Sequence, residues 1–199
     1  MRRIALIVLL SITTVSAADK DKARFAPQPA ASYPGHQTTE KITIAAVPYN
    51  TDALAATVFD KAKPHQLGIL PVLLIIQNDT GKAIRVDLKT EFVTSAGDHL
   101  EPMSPESVRY FQGVQSRPDM PGPQRIPIPL KKAKKGPLNT PEIDGRAWAV
   151  KLIPPGESAN GFVYFRVTSV DSAQLYLTGL SDAATRKPYF YFEIPLDAK

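Results

Sequence analysis

The sequence predicts an all-β protein, an antiparallel two-sheet sandwich of about seven strands with one or two short helices. Three observations predict it. Apolar residues recur at every second position in several short stretches, those stretches are separated by turn signals rich in Gly, Pro, Asn and Asp, and the helical patterns are too few and short to cross over between parallel strands. The 199 residues, 43% hydrophobic and 22% charged, suffice for one ordinary domain. Periodic glycine, long Ala/Glu/Lys runs and cysteines are all missing, which excludes a collagen, a coiled coil and a disulfide-stapled miniprotein.

The first element is an export signal. Met1-Arg2-Arg3 precedes an apolar run from Ile4 to Val15, broken only by Ser11, Thr13 and Thr14, and Val15-Ser16-Ala17 offers the small residues that signal peptidase accepts. Residues 1–17 are therefore expected to be removed, giving a periplasmic or secreted protein. A membrane-spanning helix needs about 20 apolar residues, and Asp19-Lys20-Asp21-Lys22 follows too soon for one. No transmembrane span is expected in the mature chain, and without Cys no lipid tether and no disulfide. Losing Arg2 and Arg3 leaves 22 basic against 19 acidic residues, a formal +3 that argues for weak steering and against a nucleic-acid partner.

Residues 18–39, with Pro27, Pro29 and Pro34 and no period, predict a disordered tether, and residues 40–197 a single β-sandwich domain. Ile42, Ile44 and Ala46 alternate as in a strand that Pro48 ends. Thr51 to Phe59 carries Leu54, Val58 and Phe59 at helical spacing, which suits a short helix or a loop. Ile69 to Ile76 is a nearly continuous aliphatic run before Asn78-Asp79-Thr80-Gly81, which predicts a central strand and a tight turn. Ile84, Val86 and Leu88 alternate next, and a slip before Phe92 and Thr94 places a bulge near Thr90-Glu91. A hairpin at Ala96-Gly97-Asp98 leads to Leu100. Ser104-Pro105-Glu106 has a cap, a proline at the first helical position and an acid in the first turn, predicting a short helix across one end of the sheets. Residues 113–141 hold seven prolines and Lys131-Lys132-Ala133-Lys134-Lys135, the marks of a long insertion outside the core. Three more strands follow: one over Gly161–Val167, one around Leu175, Leu177 and Leu180, and one over Tyr189–Leu196.

Three segments carry a resemblance. They are Ile69-Leu70-Pro71-Val72-Leu73-Leu74-Ile75-Ile76-Gln77-Asn78, Leu100-Glu101-Pro102-Met103-Ser104-Pro105-Glu106, and Pro154-Pro155-Gly156-Glu157-Ser158 leading into Gly161-Phe162-Val163-Tyr164-Phe165. Together they cover about half of the mature chain, and they resemble small exported bacterial proteins with an immunoglobulin-like β-sandwich and no assigned activity. The resemblance implies an immunoglobulin-like fold and brings no catalytic residue with it. The insertion has no counterpart in that pattern.

No catalytic, cofactor or metal residue is singled out. His36, His65 and His99 fall in tail or loop segments, no serine sits in Gly-x-Ser-x-Gly, and phosphate-cradling glycine loops are missing. Asp79, Asp98 and Glu101 all belong to turns that could gather at one end and hold calcium, though the dense Asp-x-Asp-x-Asp pattern is missing. Arg125, Lys131, Lys132, Lys134 and Lys135 are the unusual feature. They form either a contact for an anionic lipid or wall polymer or a merely solvated loop. Phe162, Tyr164, Phe165, Tyr189, Phe190, Tyr191 and Phe192 should divide between core and an exposed sheet face. The expected function is a non-enzymatic envelope module for interaction, adhesion or assembly, with an unknown envelope protein or anionic surface as partner and no cofactor. The alternatives are an enzyme acting on wall glycans through carboxylates not paired in sequence, and a carrier of a small hydrophobic ligand.

Overall fold

The run from Leu70 to Ile76 is apolar throughout because both of its faces are covered. The computed structural model describes residues 25–111 and 136–198. Residues 1–24, the remainder of the insertion and its five basic residues Arg125, Lys131, Lys132, Lys134 and Lys135 lie outside the described residues. The elements in chain order are β1 (His36–Thr39), β2 (Ile42–Pro48), α1 (Asp52–Phe59), β3 (Leu70–Asn78), β4 (Ile84–Val93), β5 (His99–Leu100), α2 (Pro105–Tyr110), α3 (Pro141–Gly145), β6 (Leu152–Ile153), β7 (Ser158–Phe165), β8 (Gln174–Asp182) and β9 (Phe192–Pro195). All strand pairings are antiparallel, in two sheets: sheet A in the order β1-β2-β3-β7, and sheet B in the order β5-β4-β8-β9 with β6 also on β4.

Two apolar layers result. Between the sheets, Ile42, Ile44, Val72, Leu74 and Ile76 meet Ile84, Val86, Phe92, Leu175, Leu177, Phe192 and Ile194. The other face of sheet A, with Ala45, Leu73, Ile75, Phe162 and Tyr164, is covered by Val58 and Phe59 of α1, Val108 of α2 and Ile143 of α3. Its centre is aromatic, with Tyr49 and Phe59 edge-on to Phe162 at centroid separations of 4.9 and 5.0 Å. Such pairs add about 0.5–1.5 kcal/mol each beyond burial. The Tyr164 hydroxyl donates to the Ile143 carbonyl at 2.8 Å, pinning α3 to the sheet, and burial raises its pKa.

Several expectations are corrected. Nine strands stand among the described residues where about seven were expected, and three α-helices where one or two were. The segment expected as tether is packed from Phe25 onward: Ala30 is fully buried, and β1 pairs with β2. Gly35 explains the close fit, since a Cβ there would lie 2.6 Å from the Pro195 carbonyl oxygen. The Gln37 side-chain oxygen also accepts from the Glu193 amide at 2.7 Å, which covers the open edge of β9. The helix after Ser104 does form, with the Ser107 amide donating to Ser104 Oγ at 3.1 Å, but α2 lies on the outer face of sheet A because Val108 is drawn into that apolar layer. The bulge sits at Asp87-Leu88, opposite Gly179, and not at Thr90-Glu91. Thr90 is buried and faces inward, so the alternation in β4 runs unbroken and the slip belongs to β8. Pro71 lies inside β3, at a position past the end of β2, where a missing amide costs no ladder bond.

The base of the insertion is built and closed. A Cβ on Gly136 would lie 2.5 Å from the Phe111 carbonyl oxygen, so the chain leaves and returns at one point. Arg109 clasps that base, donating from Nε and Nη2 to Asn139 Oδ1 at 3.0 and 2.8 Å and pairing with Asp144. Leu138 is buried beside it, so the C-terminal end of the 113–141 stretch belongs to the core. Replacing residues 112–135 with two glycines is therefore expected to leave the thermal midpoint within about 4 °C, a change of about 1 kcal/mol for a chain this size. A loss of cooperative melting would show that the insertion is part of the core.

Asp182 closes the opposite end of β8. Its Oδ1 accepts from the Ala184 and Thr185 amides at 2.9 Å each and its Oδ2 faces Lys82 Nζ at 3.2 Å. The Thr185 amide first, then Lys82, holds its pKa down at about 2. A lowered folded-state value stabilises above the unfolded carboxylate range, and that stability is lost as pH falls from about 4 towards 2. Acid titration of the melting midpoint should show that drop, and Asp182→Asn should flatten it. An unchanged titration in the variant would assign the drop to other carboxylates.

Candidate functional site

The aromatic residues near the C-terminus divide between core and surface, but not by alternation, because β9 begins only at Phe192 and the expected strand from Tyr189 is irregular chain up to Tyr191. Phe162, Tyr164, Phe165 and Phe192 are buried, whereas Phe190 is 67% and Tyr191 51% exposed. Tyr189 is half-buried against the inter-sheet core. β8 turns Leu175 and Leu177 inward, which leaves Tyr176 on the outer face of sheet B. The Tyr176 and Tyr191 rings lie 5.4 Å apart at 33°, an aromatic pair at the β8–β9 side of that face, with exposed Phe190 one residue before Tyr191 in the chain. Tyr176 stands in register between Glu91 of β4 and Glu193 of β9. Two strand spacings put those carboxyl-bearing residues about 10 Å apart with an aromatic ring between them. His99 Nδ1 lies 2.6 Å from Glu91 Oε2 beside them, and Arg186 and Lys187 are exposed just before Phe190.

The acidic turn residues do not converge. Asp79 lies before the start of β4 and Asp98 beyond its end, about ten residues or 30 Å of strand apart. Asp79 Oδ1 accepts from Gln77 Nε2 at 3.2 Å, and the Asp98 amide donates to Thr94 Oγ1 at 3.1 Å, each within its own turn. Only Glu101 stays near Asp98. Among the described residues no group of three or more His, Cys, Asp or Glu side chains could hold a metal ion, and no helix is long and apolar enough to cross a membrane.

The structure brings together two clusters that sequence spacing hides. Asp52, in the first turn of α1, accepts from Lys63, from His65 Nε2 at 2.8 Å and from Gln66 Nε2 at 2.8 Å. Lys63 first, and then His65 and Gln66, hold its carboxyl below the usual range, while Nδ1 of His65 is buried without a partner. The only local signal is Thr51 before Asp52, a cap at 3.3 Å from the Leu54 amide. The second cluster is an opening on the side of the sandwich, a hollow of about 200 Å³ lined by Leu88, Thr90, Met103, Trp148, Lys151 and Val163 among others. It forms because the chain crosses twice between the edges of β4 and β7. Leu100 pairs with Phe92 while Met103 bridges to Tyr164, and the Trp148 amide donates to the Phe162 carbonyl while Leu152 pairs with Arg85.

The described chain is thus a mostly β protein of two antiparallel sheets, one backed by short helices, with an aromatic patch on the other. Among solved structures it is similar to the yjhA protein from Bacillus subtilis, a structural genomics target, at 9% identity and a TM-score of 0.42 over 81% of this chain and 96% of that one. No protein-family model and no curated protein matches it.

Proposed function

We propose that the chain is an exported, periplasmic or secreted contact module of the immunoglobulin-like kind, non-enzymatic, whose contact surface is the patch of Tyr176, Phe190 and Tyr191 on sheet B. The exposure of Phe190 and Tyr191 carries this reading. Large aromatic side chains left adjacent in water on an otherwise charged and polar sheet face mark the place where a partner excludes that water. The two antiparallel sheets packed on one shared core support the immunoglobulin-like assignment, and the apolar run after Arg2 and Arg3 supports export.

The test is binding of the mature chain to washed envelope fractions, with melting recorded for every variant. Phe190→Ser with Tyr191→Ser is expected to weaken binding at least tenfold while melting stays cooperative. Binding at the wild-type level by that folded double variant would reject the patch as the contact. Changing Lys131, Lys132, Lys134 and Lys135 to Gln tests the anionic-surface contact separately, since salt-sensitive sedimentation with acidic vesicles should then disappear. Unchanged sedimentation would make that loop a solvated one.

A further inference from the structure

We propose that the edge of β4 between β5 and β6 is a strand-addition site for an extended peptide of a partner protein, lying antiparallel to β4. On that edge β6 pairs with Ile84 and Arg85, the Val86 amide reaches the Lys151 carbonyl at 2.9 Å, and β5 pairs with Phe92 and Val93. Among the described residues no strand pairs with residues 87–91 there, although β8 holds the opposite edge of β4. Five residues span about 16 Å, the length of a short strand. A break of this kind in an otherwise paired edge exposes backbone donors and acceptors that only another extended backbone matches.

The hollows beside the break fit such an occupant. The 200 Å³ opening behind Leu88 and Thr90 continues into a second hollow of about 320 Å³ along Lys89, Glu91, Glu101 and Pro102. The first is below the size that encloses a typical small-molecule ligand, but it admits one or two apolar side chains standing off a strand. Charge sets the direction. Glu101 and Glu91, the latter bonded to His99 at 2.6 Å, stand at the β5 end, Lys89 stands between the ends, and Lys151 and Arg85 stand at the β6 end, with Asp87 holding Arg85 at 2.8 Å. A peptide antiparallel to β4 therefore enters with its N-terminal end beside the two glutamates and leaves beside Lys151. The fitting sequence has a basic start, an apolar centre and an acidic end. This site does not depend on the aromatic patch, which lies at the β8–β9 side of the same sheet.

The probe is a capped seven-residue peptide of alternating valine and threonine with a central phenylalanine, lysine first and glutamate last, added to the isotope-labelled mature chain. Backbone amide shifts and hydrogen exchange report where it binds. Exchange at the Leu88 and Thr90 amides, which share the edge of the Val86 amide, is expected to slow at least tenfold at saturation. The same peptide methylated on alternate backbone nitrogens should bind at least tenfold more weakly, and the peptide with lysine and glutamate exchanged at least threefold more weakly. Shifts gathered at Phe190 and Tyr191, equal binding of the methylated peptide, no shifts at millimolar peptide, or binding only after residues 112–135 are removed would each overturn the proposal. The last outcome would give the slot to the chain's own insertion.

Discussion

Gly179→Ala is expected to destabilise the protein by about 4 kcal/mol, read as a lowered denaturant midpoint with an unchanged slope. Gly179 has φ +91°, where an L side chain is strained, and a Cβ there would lie 2.0 Å from the Asp87 carbonyl oxygen and 2.8 Å from the Asp87 carbonyl carbon. Backbone strain of about 1–3 kcal/mol adds to overpacking of about 1–3 kcal/mol. Neither can relax cheaply, because the opposing atoms are backbone and the bulge at Asp87-Leu88 is fixed by pairs on both sides, Val86 with Leu180 and Lys89 with Thr178. A loss below about 1 kcal/mol would mean that the two strands pair in another register.

Asn78→Ala is the second large effect, a loss of about 3 kcal/mol or more. Asn78 is fully buried, and its Nδ2 lies 2.6 Å from the Lys82 carbonyl oxygen and 3.0 Å from those of both Ile153 and Pro154. Two hydrogens serve three acceptors. Its Oδ1 accepts from the Thr80 amide at 3.1 Å and the Thr80 hydroxyl at 2.7 Å, so one side chain ties the β3–β4 turn to the β6–β7 turn. Removing it leaves several buried polar groups unmatched, at about 1–3 kcal/mol each before relaxation. Asn78→Asp separates bonding from volume. Its carboxylate would face the same carbonyls, so the proton-bound form is favoured in the folded state, and stability should fall as pH rises above the carboxylate range. Equal stability of Asn78→Asp at pH 4 and pH 7 would contradict this network.

These two residues also mark where sequence pattern ends. β3 was legible because its aliphatic run follows from burial on both faces, and α2 because Ser104, Pro105 and Glu106 act within one turn. The bulge was misplaced because Thr90 reads as polar although it faces the core, while the real slip is written in the three-residue step from Leu177 to Leu180 around Gly179. β1 gave no period because it is a half-exposed edge, fixed by Gly35 and Gln37 against β9, more than 150 residues away in sequence. The Asn78 network, the Asp52 cluster and the opening by Trp148 all join residues across long separations. No local periodicity encodes such meetings. Of the candidate surface, alternation implied that some terminal aromatics are exposed but not which, because Phe190 and Tyr191 precede β9 in irregular chain and both sheet A faces are covered; the pairing of Tyr191 with Tyr176 required the path of β8 and β9.

The most direct measurement is hydrogen exchange of the mature chain, read by mass spectrometry, with and without washed cell envelopes. Peptides covering residues 174–178 and 189–193 should gain protection, while those over α1 to α3 on the far side of sheet A should exchange as in the free chain. Protection confined to the helical face, or none at any saturating amount of envelope, would contradict a contact made through sheet B.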